Sequence, residues 1–286
     1  MRIGLYANPD KDRAYQITSH AAALIHRMGA VGVIGYQYQD TPLAAVPGVE
    51  LGEYGSCDRL ICLGGDGTFL SAVHLPGCED IPIIGVNLGS VGFLHEIMPE
   101  HLEEALDQLI NGSYNLEQRM MLEVACYDTE QNLIESGFAL NDAVISRGGK
   151  SRILTLDLMI NQERVDRIPG DGVIVSTPTG STAYSLSAGG PIIHPELQLL
   201  LITPICPHTL HNRSYIATDS SRVVVRIGDY PYQALLAIDG RQEIDICSGW
   251  SVVITKSERT LKLIRLGHDH FYATLPQKIH ARGKTL

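Results

Sequence analysis

A short glycine-rich turn constrains the fold of this chain more than any other stretch of its sequence. Residues 59–63 form an apolar run typical of a strand buried inside a parallel sheet, and residues 64–68 (Gly-Gly-Asp-Gly-Thr) end that run abruptly. Residues 69–73 then have the pattern of a helix start. Glycines allow close backbone approach, and their amides, together with the positive end of the helix, attract phosphate oxygens. The turn therefore predicts a phosphate site at the end of a buried strand.

Asp66 is the one carboxylate in this turn. A carboxylate repels an anion, so it is out of place in a site that only holds phosphate. It fits a site in which it handles a proton or a metal ion during phosphoryl transfer. The alternative is a plain strand-to-helix connection in which Asp66 caps the helix, because short glycine motifs often match by chance. Both interpretations are open on the turn alone.

The composition narrows the class of protein. The chain has 286 residues, a hydrophobic fraction of 44% and a net charge of −10. It can therefore bury a sizeable core, and it lacks the basic character of proteins that bind nucleic acid or anionic membranes. The six cysteines show no CxxC spacing, which favours reduced, buried thiols over disulfides or zinc. With no visible leader and no long apolar run, we expect a cytoplasmic protein.

The secondary-structure pattern divides the chain. Strands and helices alternate over residues 1–115, which predicts an α/β domain with a parallel sheet and flanking helices. Ligands bind such sheets at the carboxyl ends of the strands, where the turn at 64–68 and a second glycine-rich loop at 88–94 are both predicted. Residues 116–265 read as many short strands and predict an all-β, sandwich-like domain, and 266–286 form a tail of mixed pattern. Individual predictions include strands at 2–7, 31–34, 59–63, 81–87, 133–145 and 251–255, a hairpin at 154–163, helices at 12–28 and 99–110, and a short helix with loops at 38–56.

Two polar positions interrupt the strand patterns of the second half. Asn141 and Asp142 stand within an apolar strand and offer donors and acceptors suited to sugar hydroxyls, unless they mark an edge or a bulge. Asp171 stands between two glycines before another strand. It would bind a ribose hydroxyl or a carboxamide, unless it only forms a turn.

The run at residues 177–191 is the most specific stretch of the chain. It places five Ser and Thr residues and Tyr184 between Pro178 and a terminal Gly-Gly-Pro. A helix beginning near Ser181 would present amides and hydroxyls to an anionic or polar ligand, and Tyr184 would stack on a base or a ribose. The alternative is a Ser/Thr-rich loop without a ligand.

Several common catalytic motifs are missing from the sequence. There is no GxxxxGK(S/T) phosphate loop, no GxGxxG after the first strand and no GxSxG nucleophile elbow. His95 and Glu96 lack the second histidine of an HExxH motif, and the eleven histidines form no obvious metal-ligand cluster. The spacing thus argues against P-loop nucleotidases, zinc proteases and α/β-hydrolases.

Taken together, these stretches resemble the NAD kinase family. That family lies in a superfamily that shares the GGDGT turn with diacylglycerol kinases, sphingosine kinases and phosphofructokinases, so the turn alone is widespread. Residues 176–191 (STPTGSTAYSLSAGGP) are highly specific to NAD kinases. The other matching stretches, at 63–70, 84–94, 141–142, 170–176 and 204–210, follow the family order.

The resemblance implies a reaction and a set of partners. The γ-phosphoryl group of ATP, with polyphosphate as an open alternative donor, would pass to the 2′-hydroxyl of the adenosine ribose of NAD and give NADP. A divalent ion, usually Mg²⁺, would assist. The protein would be a homo-oligomer, a dimer or a tetramer. The implied fold is an α/β domain followed by a β-sandwich-like domain, with the tail returning to the first domain.

The resemblance also implies roles for individual residues. Asp66 would be the general base or the residue that orients the hydroxyl, and the backbone of Gly64, Gly65, Gly67 and Thr68 would cradle phosphates. Asn141 and Asp142 would hold adenosine and ribose, and Asp171 the nicotinamide end. The full set implied in NAD binding is Asp66, Gly67, Asn141, Asp142, Arg152, Asp171, Thr182, Ala183, Tyr184, Ser185, Leu186, Ser187 and Gln242.

The chain departs from the family pattern at three places. Asp142 stands where Glu is usual, and its shorter side chain reaches less far. Pro169 stands where Arg or another residue often precedes Gly-Asp-Gly, so one contact is in doubt. Residues 239–242 (Asp-Gly-Arg-Gln) resemble the family's Asp-Gly-Gln with one residue inserted, which leaves open whether Arg241 or Gln242 faces the ligand.

Two other functions are alternatives to the NAD kinase reaction. A lipid or other small-molecule kinase would use the same glycine turn but would need an apolar acyl cleft, which the hydroxyl-rich run at 177–187 argues against. A non-catalytic NAD sensor would keep the nucleotide pocket and lose the chemistry, which the intact Asp66 argues against.

Overall fold

The computed structural model describes residues 1–89, 92–149, 151–210, 212–267 and 271–282. Ser90 and Val91 of the second glycine loop, and residues 268–270 and 283–286 of the predicted tail, lie outside the described residues. The chain forms two compact units. The first comprises residues 1–118 and 261–286, and the second comprises residues 119–260.

The described residues form the following elements. The strands are β1 (Arg2–Ala7), β2 (Val31–Ile34), β3 (Val49–Leu51), β4 (Arg59–Gly64), β5 (Ile83–Asn87), β6 (Asn115–Tyr127), β7 (Leu133–Ala139), β8 (Asp142–Ser146), β9 (Leu154–Ile160), β10 (Glu163–Gly170), β11 (Gly172–Ser176), β12 (Leu199–Ile205), β13 (Tyr215–Thr218), β14 (Val223–Ile227), β15 (Ala234–Ile238), β16 (Gln242–Ile246) and β17 (Ser251–Arg265). The helices are α1 (Gln16–Arg27), α2 (Asp66–Val73), α3 (Leu102–Asn111), α4 (Tyr184–Ser187) and α5 (Phe271–Arg282).

The first unit is built on a parallel sheet with the strand order β17–β5–β4–β1–β2–β3. β4 and β5 lie in its middle and are buried almost throughout, as continuous apolar runs require. The predicted α/β class is confirmed. β3 was missed, because a three-residue strand with two exposed side chains leaves no periodic signal.

The second unit contains two sets of antiparallel strands around one core. One set has the order β10–β9–β14–β17 and the other β13–β12–β11–β8–β15–β16. Alternate residues of β9 and β15 are buried, and Leu156, Leu158, Val173 and Val175 belong to the same hydrophobic cluster. The predicted sandwich-like β architecture is confirmed.

Several element predictions for the second half need correction. The strand predicted over 133–145 is two strands, β7 and β8, which are separated at residues 140–141. β17 extends ten residues beyond the predicted end at 255, to Arg265. β16 was not predicted. The hairpin at β9–β10 is present, and its turn residues Asn161 and Gln162 have φ of 52° and 72°, the left-handed conformation that two-residue hairpin loops require.

All six cysteines are free. Four are buried, but Cys206 is exposed and Cys247 is half-buried, so the expectation of uniformly buried thiols is wrong for these two. Within the described part of the chain, none of the helices combines the length and apolar content needed to cross a bilayer.

Candidate active site

The glycine turn lies where three parallel strands of the first unit end. Gly64, the last residue of β4, pairs with Asn87, the last residue of β5. The amide of Leu88 donates to the Gly64 carbonyl at 2.9 Å. On the other side, the amide of Asn8, just after β1, donates to the Leu63 carbonyl at 3.0 Å. The turn is therefore held at the carboxyl edge of the sheet, where α/β folds bind ligands.

Helix α2 begins at Asp66, three residues earlier than predicted. Gly65 is the N-cap, and its carbonyl accepts the first helical hydrogen bond, from Phe69, at 3.0 Å. No side chain caps this end. The amides of Asp66, Gly67 and Thr68 lie in the first turn, where a helix offers them no acceptor of its own. Amides in this position, together with the positive end of the helix dipole, are suited to an anion.

The glycines of the turn have different roles. A Cβ placed on Gly65 or Gly67 would meet no atom within 4 Å, so these two leave the backbone open to a ligand. A Cβ on Gly64 would instead overlap the Thr68 side chain. Thr68 is buried, and its hydroxyl accepts a hydrogen bond from Asn8 Nδ2 at 3.0 Å. Asn8, which directly follows the neighbouring strand β1, thus helps to hold the glycine turn in place.

The carboxylate of Asp66 does not cap its helix. Its Oδ2 accepts from the Phe93 amide at 3.2 Å, and its Oδ1 accepts from the Leu94 amide at 3.3 Å. His95 Nδ1 lies 3.3 Å from Oδ1. The side chain keeps 21% of its surface exposed. The capping interpretation is therefore wrong, and the carboxylate is instead held by the loop that follows β5, with one face accessible.

Gly92 allows that loop to close over Asp66. A Cβ at Gly92 would overlap Asp66 Oδ1, and it would also lie 3.2 Å from His95 Nδ1. The sequence predicted the second glycine-rich loop as a ligand loop. The described residues 92–95 show an additional role, which is to fix the Asp66 carboxylate.

In the second unit, Asp239 organises the polar break between β7 and β8. Its carboxylate accepts hydrogen bonds from the amides of Leu140, Asn141 and Asp142 at 2.8, 2.8 and 3.1 Å. Asp239 is buried and has a φ of 50°, at the turn of the β15–β16 hairpin. Sequence analysis did not assign it a role. The Asp-Gly dipeptide between two strands was the signal that could have placed it in a tight turn.

A cavity of about 390 Å³ lies beside this break. Its lining residues are Asn141, Asp142, Val144, Ser146, Ala183, Tyr184, Ala237, Asp239 and Gly240. Asp142 is 5% exposed. Burial, and then the charge of Asp239, raises the pKa of Asp142 to about 7. A carboxyl group with this pKa can donate a hydrogen bond as well as accept one, which suits a hydroxyl or a ring nitrogen of a ligand.

The hydroxyl-rich run is a 3₁₀ turn, Thr179–Thr182, followed by the short helix α4, and not one helix from Ser181. Ser181 Oγ donates to the Pro178 carbonyl at 2.6 Å, and Ser185 Oγ lies 3.0 Å from Thr203 Oγ1. These hydroxyls build the loop. A Cβ on Gly180 would overlap the Asn141 carbonyl, so the loop can pack against residues 140–142 only with glycine at that position.

The structure brings together only part of the predicted NAD-binding set. Asn141, Asp142, Ala183 and Tyr184 line one cavity, and Tyr184 is 46% exposed. The remaining members of the set in the second unit, as far as the structure describes them, do not line this cavity: Arg152, Asp171, Thr182, Ser185, Leu186, Ser187 and Gln242.

Three of these outlying residues have clear surroundings. Asp171 forms an ion pair with Arg147, at 2.7 Å. Arg152 is exposed. Gln242 is half-buried, with its side chain over Gly137, whereas the inserted Arg241 is exposed.

Comparisons with known proteins show which family the chain is similar to. Family models described as the N-terminal and C-terminal domains of ATP-NAD kinase match residues 46–114 and 140–266. The NAD kinase of Ruminiclostridium cellulolyticum is 38% identical over 98% of both chains. Yeast NADH kinase, solved in complex with NADH, has a TM-score of 0.86 at 24% identity and covers 100% of this chain and 87% of its own. An NAD kinase from Archaeoglobus fulgidus, solved in complex with ATP, has a TM-score of 0.73 at 25% identity, over 98% and 99% of the two chains.

Proposed function

The chain belongs to the NAD kinase family, and from this premise we propose that it transfers the terminal phosphoryl group of ATP to the 2′-hydroxyl of the adenosine ribose of NAD. The products are NADP and ADP. The observation that carries the proposal is the pairing, at the head of α2, of open glycine amides with a fixed, accessible carboxylate. The ATP complex of the archaeal relative supports ATP as the donor.

The first unit supplies groups suited to phosphoryl transfer. We assign the amides of Gly67 and Thr68, with the backbone of Gly64 and Gly65, to the donor phosphates. Asp66 orients the ribose hydroxyl and accepts its proton as the oxygen bonds to the γ-phosphorus, while the bond from that phosphorus to the ADP oxygen breaks. Such transfer depends on position and electrostatics, so a carboxylate held by two amides is well suited to the task.

The second unit supplies groups suited to NAD. Its cavity has the size of a small-molecule site and combines an aromatic ring with an amide and a carboxyl group. We assign Asn141 and Asp142 to the hydroxyls and ring nitrogens of adenosine, and the exposed ring of Tyr184 to stacking. Arg152, Asp171, Thr182, Ala183, Ser185, Leu186, Ser187 and Gln242 remain proposed NAD contacts.

The described residues contain no cluster of three His, Cys, Asp or Glu side chains able to hold a metal ion. This described part of the chain therefore does not fit a protein-built cage for a divalent cation. Mg²⁺ commonly binds through substrate phosphates and water, and a cation held in that way neutralises charge on the transferring group. We propose that the substrates, more than the protein, carry this ion.

Two further properties belong to the proposal. We propose a homo-oligomer, a dimer or a tetramer, on the resemblance to the family. We also propose a cytoplasmic protein, which six free cysteines and a net charge of −10 support. Size-exclusion chromatography with light scattering tests the first, and localisation of a tagged full chain tests the second.

The decisive experiment is a coupled assay on the purified full chain. NAD, ATP and Mg²⁺ are supplied, and NADP is read by an NADP-specific dehydrogenase. We expect NADP formation by the native protein, its near-complete loss in Asp66→Asn, and its retention in Asp40→Asn, a change of an exposed acid outside the site.

The other outcomes of this assay would overturn parts of the proposal. NAD binding without any turnover, with ATP or polyphosphate, would indicate a sensor. A rise in Tm with a sphingoid or diacylglycerol lipid, and none with NAD, would indicate a lipid kinase. Turnover with polyphosphate and none with ATP would show that polyphosphate, and not ATP, is the phosphoryl donor.

A further inference from the structure

His95 is buried directly behind the Asp66 carboxylate. Only 1% of its side chain is exposed, and its Nδ1 lies 3.3 Å from Asp66 Oδ1. The imidazole also packs edge-on against Phe69, with ring centroids 5.7 Å apart. Phe69 is fully buried in α2, so the ring of His95 is fixed on a rigid element.

Two glycines provide the space for this pair. A Cβ on Gly85 of β5 would lie 2.6 Å from His95 Cδ2 and 3.1 Å from the Phe69 ring. A Cβ on Gly92 would overlap Asp66 Oδ1. A side chain at Gly85 in the sheet would displace the imidazole, and one at Gly92 in the loop would displace the carboxylate. The position of the pair therefore depends on glycine at both sites.

The hydrogen-bonding groups define the direction of the contact. An ionised carboxylate can only accept, so the hydrogen between the two side chains must be on Nδ1. His95 Nε2, at the other side of the ring, is buried and has no hydrogen-bond partner among the described residues. Among the described residues, the hydrogen bond between Nδ1 and Asp66 is therefore the one that the His95 imidazole forms.

We propose that His95 is a positioning residue for phosphoryl transfer. The amides of Phe93 and Leu94 bind one oxygen each of Asp66 from the backbone of the loop. The Nδ1–H bond gives Oδ1 a second donor from the buried side and fixes the plane of the carboxylate. This inference rests on the proposed role of Asp66. It adds that the catalytic geometry is completed by a histidine from the neighbouring strand's loop.

The test uses two amide side chains that reach different positions of the imidazole. Asparagine places its Nδ2 near the site of Nδ1 and can still donate to Asp66. Glutamine places its amide near the site of Nε2 and cannot. We expect His95→Asn to stay within a few-fold of native kcat and His95→Gln to lose about 10- to 100-fold in kcat, with the KM for NAD and ATP little changed in both.

A structural role makes a different prediction. If His95 only fills space, kcat would follow the Tm of each variant, and the smaller Asn would be the worse substitute. Equal losses in the two variants, or a larger loss in Asn, would overturn the proposal. Rescue of kcat by Asn and not by Gln, at similar Tm values of the two variants, would establish it.

One measurement separates this proposal from the proposed function. Long-range nitrogen–proton NMR of the native protein reports the tautomer of His95 without any turnover. We expect the Nδ1–H form, with a shifted Nδ1 resonance in Asp66→Asn. An Nε2–H form would refute the positioning role even if NADP is made. An Nδ1–H form without NADP would place the failure in the reaction assignment.

Discussion

Asp142 and Asp239 are joined by two hydrogen bonds, one of which each residue donates. The Asp142 amide donates to the Asp239 carboxylate at 3.1 Å, and the Asp239 amide donates to the Asp142 carbonyl at 2.9 Å. The Asp239 carboxylate also accepts hydrogen bonds from the amides of Leu140 and Asn141. The neighbouring Asp142 is a buried carboxyl group whose raised pKa makes its protonation depend on pH near neutrality.

The pH dependence of stability should report Asp142. Its native pKa is raised to about 7 from 3.8, first by burial and then by Asp239. The native state therefore keeps a proton that the unfolded state releases above about pH 4, so stability falls as pH rises toward 7 and is constant above it. We expect the Tm of Asp142→Asn, relative to that of the native protein, to rise by about 2–6 °C when the pH is raised from 5 to 8. Asp245→Asn, at an exposed position of the same unit, is the control; a parallel shift in both variants would contradict the prediction.

Removal of the Asp239 carboxylate should destabilise the chain at residues 140–142, between β7 and β8. Asp239→Ala leaves three buried amides without an acceptor and places alanine at a φ of 50°, so we expect a loss of about 2–4 kcal/mol. Asp239→Asn tolerates that φ and keeps one oxygen, so it should lose less. Urea midpoints measure both variants. NAD affinity should fall with them, and an unchanged Asp239→Ala midpoint would show that the amides find other partners.

Gly92→Ala should lower kcat strongly and the free energy of unfolding only slightly. The added Cβ overlaps Asp66 Oδ1, and a movement of the carboxylate relieves this overlap with the least change of the backbone. We expect a loss of about 100-fold in kcat, the order that misplacement of a reacting group produces. Gly149→Ala is the control, because a Cβ there meets nothing within 4 Å. A fully active Gly92→Ala would mean that the position of Asp66 is not critical.

Arg265 should be a strong stabilising residue of the first unit. Its guanidinium donates to Glu117 at 2.8 Å and to Glu96 at 3.0 Å, and all three side chains are largely buried. Arg265→Ala removes the cation that these two largely buried carboxylates share, and we expect a loss of about 3 kcal/mol. Lys262→Ala breaks an ion pair of 2.7 Å whose Asp80 is 92% exposed, so it should cost about 0.5 kcal/mol or less. Chemical denaturation measures the free energy of unfolding of both variants. Equal losses would refute the claim that burial makes the Arg265 ion pairs more stabilising.

The sequence by itself determined the features that depend on a few neighbouring residues. The strand at 59–63, the glycine turn that follows it and the hairpin at Asn161 and Gln162 were all readable, because apolar runs and turn residues act over short distances. The specific run at 176–191 identified the family for the same reason. Its hydroxyls, however, were predicted to face a ligand, and several bond within the loop, since a pattern of residue types does not state which way a side chain points.

Only the tertiary structure decided what holds the reacting groups. Asp66 is bound by residues 27 to 29 positions away, and the amides of residues 140–142 by a carboxylate 97 to 99 positions away. No local propensity links such positions. They meet because parallel strands bring their carboxyl ends to one edge in the first unit, and because β15 pairs with β8 in the second. His95 and Asp239 were therefore invisible as site residues until the strands were paired.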